Sequence, residues 1–206
     1  MYLLYYIIFF LKLIYLSDGY HTYKFLGDFL SILGFVSNLL HHRAPFKKIL
    51  DQTKKEIHTA IMKAVIFDYN STIYKPDSDE LTEGALDLLH LLKQKDITLF
   101  LVAKGDEKRR ARIQELGLEP YFKKIIVNQQ KSGNDYGSCK NEVPAGTEFF
   151  AVGDRIKEEI TYANEQGMIT IWFKSGKFST EEPENEAETP AFIITHLSEA
   201  ADIILG

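Results

Sequence analysis

The sequence predicts an α/β fold, a mostly parallel sheet with flanking helices over residues 62–206, preceded by a helical N-terminal segment over residues 1–61. Three observations carry this. From Met62 onward, short apolar runs alternate with segments of helical period, the pattern of β-α-β units. Two of the runs close on an aspartate, the first on Asp68 itself and the other on Gly153–Asp154, as buried strands do where they reach a cleft. The composition also breaks near residue 61. Before it, seven Lys/Arg face four acids, a net +3; after it the balance is −8, so that the whole chain carries −5.

A chain of 206 residues suits one ordinary domain plus an extension. Hydrophobic residues at 45% and charged residues at 26% exclude wholesale disorder. The single cysteine, Cys139, excludes an internal disulfide framework and a multi-cysteine zinc site. With a net negative charge there is no global basic field to recruit nucleic acid.

The N-terminal segment reads as two or three helices. Residues 1–16 are apolar except for Lys12, and as a helix would reach ~24 Å, short of a ~30 Å hydrocarbon core. Residues 25–40 place Phe25, Phe29, Ile32, Leu33, Val36 and Leu40 on one stripe. Three accounts stand side by side: a membrane-surface anchor through residues 1–40, an appendage packing on the domain or on a second subunit of a homo-oligomer, or an over-extended reading frame whose natural start is Met62.

In the second piece the elements are expected in this order. Ala64–Asp68 is a buried strand. Leu81–Lys95 is an amphipathic helix with Thr82 as its N-cap. Ile97–Val102 is a strand, and Asp106–Leu116 a charged helix stopped by Gly117. Lys124–Val127 and Glu148–Val152 are strands, with Gly133, Gly137, Cys139 and Gly146 between them in a loop. Ile156–Gln166 is a helix ending at Gly167, Met168–Phe173 a strand, Ala191–Ile194 a short last strand, and Leu197–Leu205 a terminal helix.

In a parallel sheet the ligand site lies beyond the carboxyl ends of the strands. Asp68 and Asp154 each end a strand, so their carboxylates point into one cleft. Alone they would repel, and one would protonate. A divalent cation between them removes that conflict, and hard oxygen ligands suit Mg²⁺. A lysine close by would balance a bound phosphate. No Walker A loop or glycine-rich dinucleotide turn is present.

Asp68-Tyr69-Asn70-Ser71-Thr72 resembles the first signature of the haloacid dehalogenase-like (HAD) superfamily, and Val152-Gly153-Asp154-Arg155 with Glu158-Glu159-Ile160 resembles its fourth. Lys131, 22 residues before Gly153, suits the third-signature lysine. The resemblance covers residues 62–206. It implies a Rossmann-like sheet and a cytoplasmic, Mg²⁺-dependent phosphohydrolase acting on a phosphorylated small molecule or macromolecule. By the same resemblance Asp68 is the nucleophile that forms an aspartyl-phosphate, and Lys131 orients it. Asp68, Asp154 and the backbone carbonyl of Asn70 hold the metal, with Glu159, ahead of Glu158, supporting it. Thr72, Ala103 and Lys104 border the substrate phosphate.

Two positions depart from that pattern. Asn70 stands where the family usually carries a second aspartate as acid and base, and an amide exchanges no proton at useful pH. Ala103 stands where a Thr or Ser usually bonds a phosphoryl oxygen. Weakened hydrolysis is the expectation, and the alternative is a catalytically degenerate phosphate-binding or protein-interaction module. The eight residues between Thr72 and Leu81, and the short stretch from Gly105 to Lys131, leave no room for a lid domain. The cleft is therefore expected to be open, which in this family implies a large substrate or a lid borrowed from a partner.

Overall fold

The computed structural model describes residues 62–206; the helices expected within residues 1–61, and the membrane contact through 1–40, lie outside the described residues. The sheet is built around β1 (Lys63–Asp68), which pairs in parallel with β4 (Thr98–Lys104) on one side and β6 (Glu148–Gly153) on the other. The remaining strands extend this pair outward: β5 (Lys124–Asn128) beyond β4, then β7 (Ile169–Phe173) and β8 (Phe192–Ile194) beyond β6, giving the order β5-β4-β1-β6-β7-β8. All the pairings in this sheet are parallel.

Burial on both faces explains why the central strands read as unbroken apolar runs. Side chains alternate between two cores. Val65, Phe67, Leu99, Leu101, Phe150 and Val152 face helices α1 (Ala85–Gln94) and α5 (Leu197–Leu205), meeting Leu88, Leu89, Leu92, Ala200 and Ile204. Ala64, Ile66, Phe100, Val102, Phe149 and Ala151 face α3 (Gly133–Lys140) and α4 (Thr161–Glu165), meeting Tyr136, Cys139 and Ala163. Helix α2 (Glu107–Glu115) is capped by Asp106, whose side chain accepts from the Lys108 N–H at 3.0 Å. It buries little beyond Ile113, in keeping with its charged composition.

The chain runs outward from β1 through β4 to β5, then crosses back to β6 and continues the other way. The reversal falls between β1 and β6, and a crevice opens at the carboxyl ends of strands that part in this manner. Asp68 is the last residue of β1 and Asp154 the first after β6, so topology alone brings them to that crevice.

Three expectations change in detail. Leu81 does not open a helix: Tyr74–Lys75 (β2) and Glu80–Leu81 (β3) pair as a small antiparallel hairpin that draws Leu81 into a strand. Helix α1 therefore starts at Ala85 after Gly84, whose φ of 76° suits glycine, and Thr82 contributes its carbonyl to Ala85 N–H rather than a side-chain cap. The segment expected as a loop around Cys139 contains α3, started by a reciprocal cap between Ser132 and Asp135. Its glycines hide the helical pattern, yet Gly137 is where Gln166 packs; a Cβ there would lie 2.9 Å from the Gln166 Oε1. Cys139 is buried on α3, not placed in a loop. The helix expected over Ile156–Gln166 divides into a π-helical turn, Ile156–Ile160, closed by Ile160 N–H to Arg155 C=O at 3.2 Å, and then α4.

Among the described residues no helix is long and apolar enough to cross a membrane. Gly153 sits under the π-helical turn so closely that a Cβ would stand 2.5 Å from the Glu159 Cβ. Gly153→Ala is expected to destabilise the fold by about 1–3 kcal/mol, measured by urea denaturation, because neither strand nor turn has room to yield.

Candidate active site

Each acidic residue of the cleft arrives on a different rigid element. β1 delivers Asp68, the exit from β6 delivers Asp154, and the π-helical turn delivers Glu159. The turn matters because its wider i→i−5 closure adds one residue relative to an α-helix, which turns Glu159 back toward the strand ends. Two further bonds hold these groups in place. The Trp172 indole N–H donates to the Asp154 carbonyl at 2.9 Å, and the Arg155 backbone N–H donates to Glu159 Oε2 at 3.0 Å.

One oxygen from each of Asp68, Asp154 and Glu159 lies within 4.8 Å of the others, and all three residues are 1–2% exposed. Lys131, at the entry to α3, is the ammonium that meets them. Its Nζ donates to Asp68 Oδ1 at 2.6 Å and also to Glu159 Oε1. The Lys131 side chain is itself only 5% exposed. Burial works against its charge, but the Asp68 and Glu159 carboxylates together outweigh that and hold its pKa above the ordinary lysine range.

The acids are correspondingly starved of positive charge. Burial, reinforced by the Asp68 and Glu159 carboxylates, pushes Asp154 up to about 8. Burial, with Asp68 beside it, raises Glu159 too, although Lys131 pulls the other way. One ammonium among three buried carboxylates leaves two negative charges uncompensated when all are ionised. Asp154 Oδ2 and Asn70 Oδ1 are in addition buried without any hydrogen-bond partner. Orphaned oxygens of hard donors, two charges short of balance, fit a divalent cation such as Mg²⁺. The residues that could hold it are Asp68, Asp154 and Glu159, with Asn70 at the border.

The residues singled out in the sequence fall into two groups. Asp68, Lys131, Asp154 and Glu159 come together. Glu158 does not join them; it turns away to pair with Arg155. Asn70 and Thr72 lie in the turn leaving β1, where Ser71 takes a φ of 59° and Tyr74 N–H returns to the Tyr69 carbonyl. The Thr72 hydroxyl is buried and unpartnered. The Ala103 side chain packs in the core on the α1 side of the sheet, whereas Lys104, the next residue, is exposed at the end of β4. Trp172 and the Arg155 N–H, which brace the acids, were not legible as site residues, since a buried indole and a backbone donor leave no pattern in the text. A basic cleft beside Lys104, lined by Lys108, Arg109 and Gln129, was missed as well. Its cations are adjacent only once α2 is folded.

Comparison with known proteins bears directly on this arrangement. Residues 134–200, which include Asp154 and Glu159, match the hydrolase-like family model described as HAD-hydrolase-like. A curated protein of Methanopyrus kandleri named glyceraldehyde 3-phosphate phosphatase is 24% identical over 175 residues, covering 80% of this chain and 72% of its own. A solved predicted phosphatase of Clostridium acetobutylicum superposes with a TM-score of 0.58 at 14% identity, covering 71% of this chain and 99% of that one. The D,D-heptose 1,7-bisphosphate phosphatase of B. bronchiseptica, solved with magnesium and phosphate, gives 0.54 at 15% identity, covering 70% and 98%. The family match covers the acidic half of the site, and a sheet of this order carrying acids at the ends of its two central strands makes the chain similar to HAD-like hydrolases in fold and in the placement of its acids.

Proposed function

We propose that the protein is a Mg²⁺-dependent phosphohydrolase that works through an aspartyl-phosphate on Asp68. The observation that carries this reading is the convergence of three buried carboxylates on one buried ammonium at the switch point of a parallel sheet. The names of the curated relatives agree with phosphatase chemistry, and a triose phosphate is therefore the first compound to assay.

A carboxylate oxygen of Asp68 attacks phosphorus, the ester P–O bond breaks, and the alcohol leaves with a proton. Water then attacks the acyl phosphate, releasing inorganic phosphate and restoring the carboxylate. Lys131 fixes Asp68 Oδ1 by its 2.6 Å bond and presents positive charge to the phosphoryl oxygens. Mg²⁺, when bound by Asp68, Asp154 and Glu159, supplies further neutralisation of the phosphoryl charge. Burial of all four side chains keeps bulk water from screening these interactions. Asn70 can donate or accept a hydrogen bond at the leaving oxygen but transfers no proton, so departure relies on solvent or on an alcohol that leaves easily.

A second reading, a module that binds phosphate without turnover, is favoured by Asn70 and by the core placement of Ala103. The two readings separate experimentally. In the enzyme, Asp68→Asn lowers hydrolysis of an aryl phosphate by roughly 10³-fold or more; a preparation whose activity is indifferent to that change refutes the nucleophile assignment. Asn70→Asp is expected to raise turnover by ~10²-fold, more for alkyl than for aryl phosphates, because the new carboxyl protonates the poorer leaving group. No response at either class of substrate points to the binding module. Asp154→Asn is expected to weaken Mg²⁺ binding at least about tenfold in a calorimetric titration, since it removes one of three charged ligands.

A further inference from the structure

The end of β4 borders a second feature that the acidic cluster does not use. Lys104, Gly105, Asp106, Lys108, Arg109, Arg112 and Gln129 line a cleft of about 580 Å³. Four of these side chains are cationic and one is acidic, on a domain whose overall charge is −8. The acid is already engaged, since Asp106 caps α2 by accepting from Lys108 N–H. Arg112 is paired with Asp79 and Glu115. Lys104, Lys108 and Arg109 have no carboxylate partner among the described residues. Arg109 is nonetheless held still: its guanidinium lies 4.7 Å above the Tyr69 ring and 5.7 Å from that of Tyr74, with Nε buried and without a hydrogen-bond partner. A fixed guanidinium flanked by two free ammoniums is an arrangement that binds phosphate oxygens.

The cleft adjoins the acidic cluster along two separate stretches of chain. In the β1–β4 pairing Asp68 stands opposite Val102, and Lys104 is two residues further along the same face. A ~3.3 Å rise per residue and a ~4.8 Å strand separation put its Cα about 8 Å from that of Asp68. Just past the end of the neighbouring strand β5, Gln129 lines the cleft and Lys131, two residues on, enters the acidic cluster. An anion seated here is thus close enough to belong to the molecule whose other end reaches Asp68.

Building on the phosphohydrolase reading, we infer that the preferred substrate carries a second phosphate, as a sugar bisphosphate does, and that Lys104, Lys108 and Arg109 bind this second group while the first meets Asp68. The cleft explains how a site without an inserted lid retains its substrate. The distal phosphate supplies binding energy that an enclosing domain supplies elsewhere.

The test uses the full chain carrying Asp68→Asn, so that binding is read without turnover. Fructose 1,6-bisphosphate and fructose 6-phosphate are titrated calorimetrically in Mg²⁺ buffer. The bisphosphate is expected to bind about tenfold more tightly. Adding Lys108→Glu, at an exposed position of α2, is expected to bring the two affinities to within about twofold. Arg109→Met is expected to act in the same direction, and the exposed Lys108 variant serves if loss of the tyrosine stacking unfolds that protein. Equal affinities in the parent, or an advantage that survives Lys108→Glu, overturns the inference. So does inorganic phosphate that fills the cleft as tightly as the bisphosphate, or a single-stranded oligonucleotide that outcompetes it in a Lys108-dependent way. A bisphosphate preference that persists in a chain showing no Asp68-dependent hydrolysis supports the cleft and removes the phosphohydrolase reading. Hydrolysis without the preference does the reverse.

Discussion

Three carboxylates held out of water within reach of a single ammonium constitute the interaction on which the rest of the structure depends. Such a group is costly to bury: each acid loses hydration, and mutual repulsion adds to the loss. Lys131 offsets part of this through short bonds to two of the acids, and its charge is stabilised by them in return. The remainder is left as raised proton affinity on Asp154 and Glu159 and as unpartnered oxygens on Asp154 and Asn70. A fold built for stability alone would place apolar side chains here. The retained imbalance leaves hard oxygen donors two charges short of balance, the condition that suits a divalent cation.

The scaffold is arranged to keep that imbalance in place. Asp68 and Asp154 are neighbours because β1 and β6 pair in parallel from Lys63 with Glu148 to Phe67 with Val152, so a slip in register would separate them. Glu159 reaches the same point only because the residues after Arg155 wind as a π-helical turn. Gly153 has no side chain where the turn crosses the strand, and the contact with Glu159 depends on that gap. Lys131 is brought in at the entry to α3, whose Tyr136 and Cys139 anchor that helix against the β1–β4–β6 core. Four separate elements converge, and none positions more than one charged group of the cluster.

Most of the sheet was legible in the text because its strands are buried on both faces and read as apolar runs: AVIFD, ITLFLV and EFFAV fell within a residue or two of β1, β4 and β6. Asp68 and Asp154 were legible because they terminate such runs, and Glu159 and Lys131 because of a family spacing. What escaped had weaker local signals. Helix α3 is rich in glycine, which favours open conformations in isolation; tertiary contact with Gln166 and a Ser132–Asp135 cap overrides that preference. The β2–β3 hairpin is two residues long on each side, too short for alternation to show. Ala103 illustrates a different limit. Its position was readable but its orientation was not, since only the strand's pairing reveals that the methyl faces the α1 core while Lys104 faces the opening.

Trp172 is the sole indole in the chain, and it is buried with its N–H donated to the carbonyl of Asp154. The protein therefore contains a built-in optical reporter one bond away from a strand-end acid. Its emission is free of contributions from other tryptophans, so a shift in intensity or wavelength would register displacement of that backbone without any label. Stopped-flow mixing could then follow occupancy of the crevice in real time, independently of product formation.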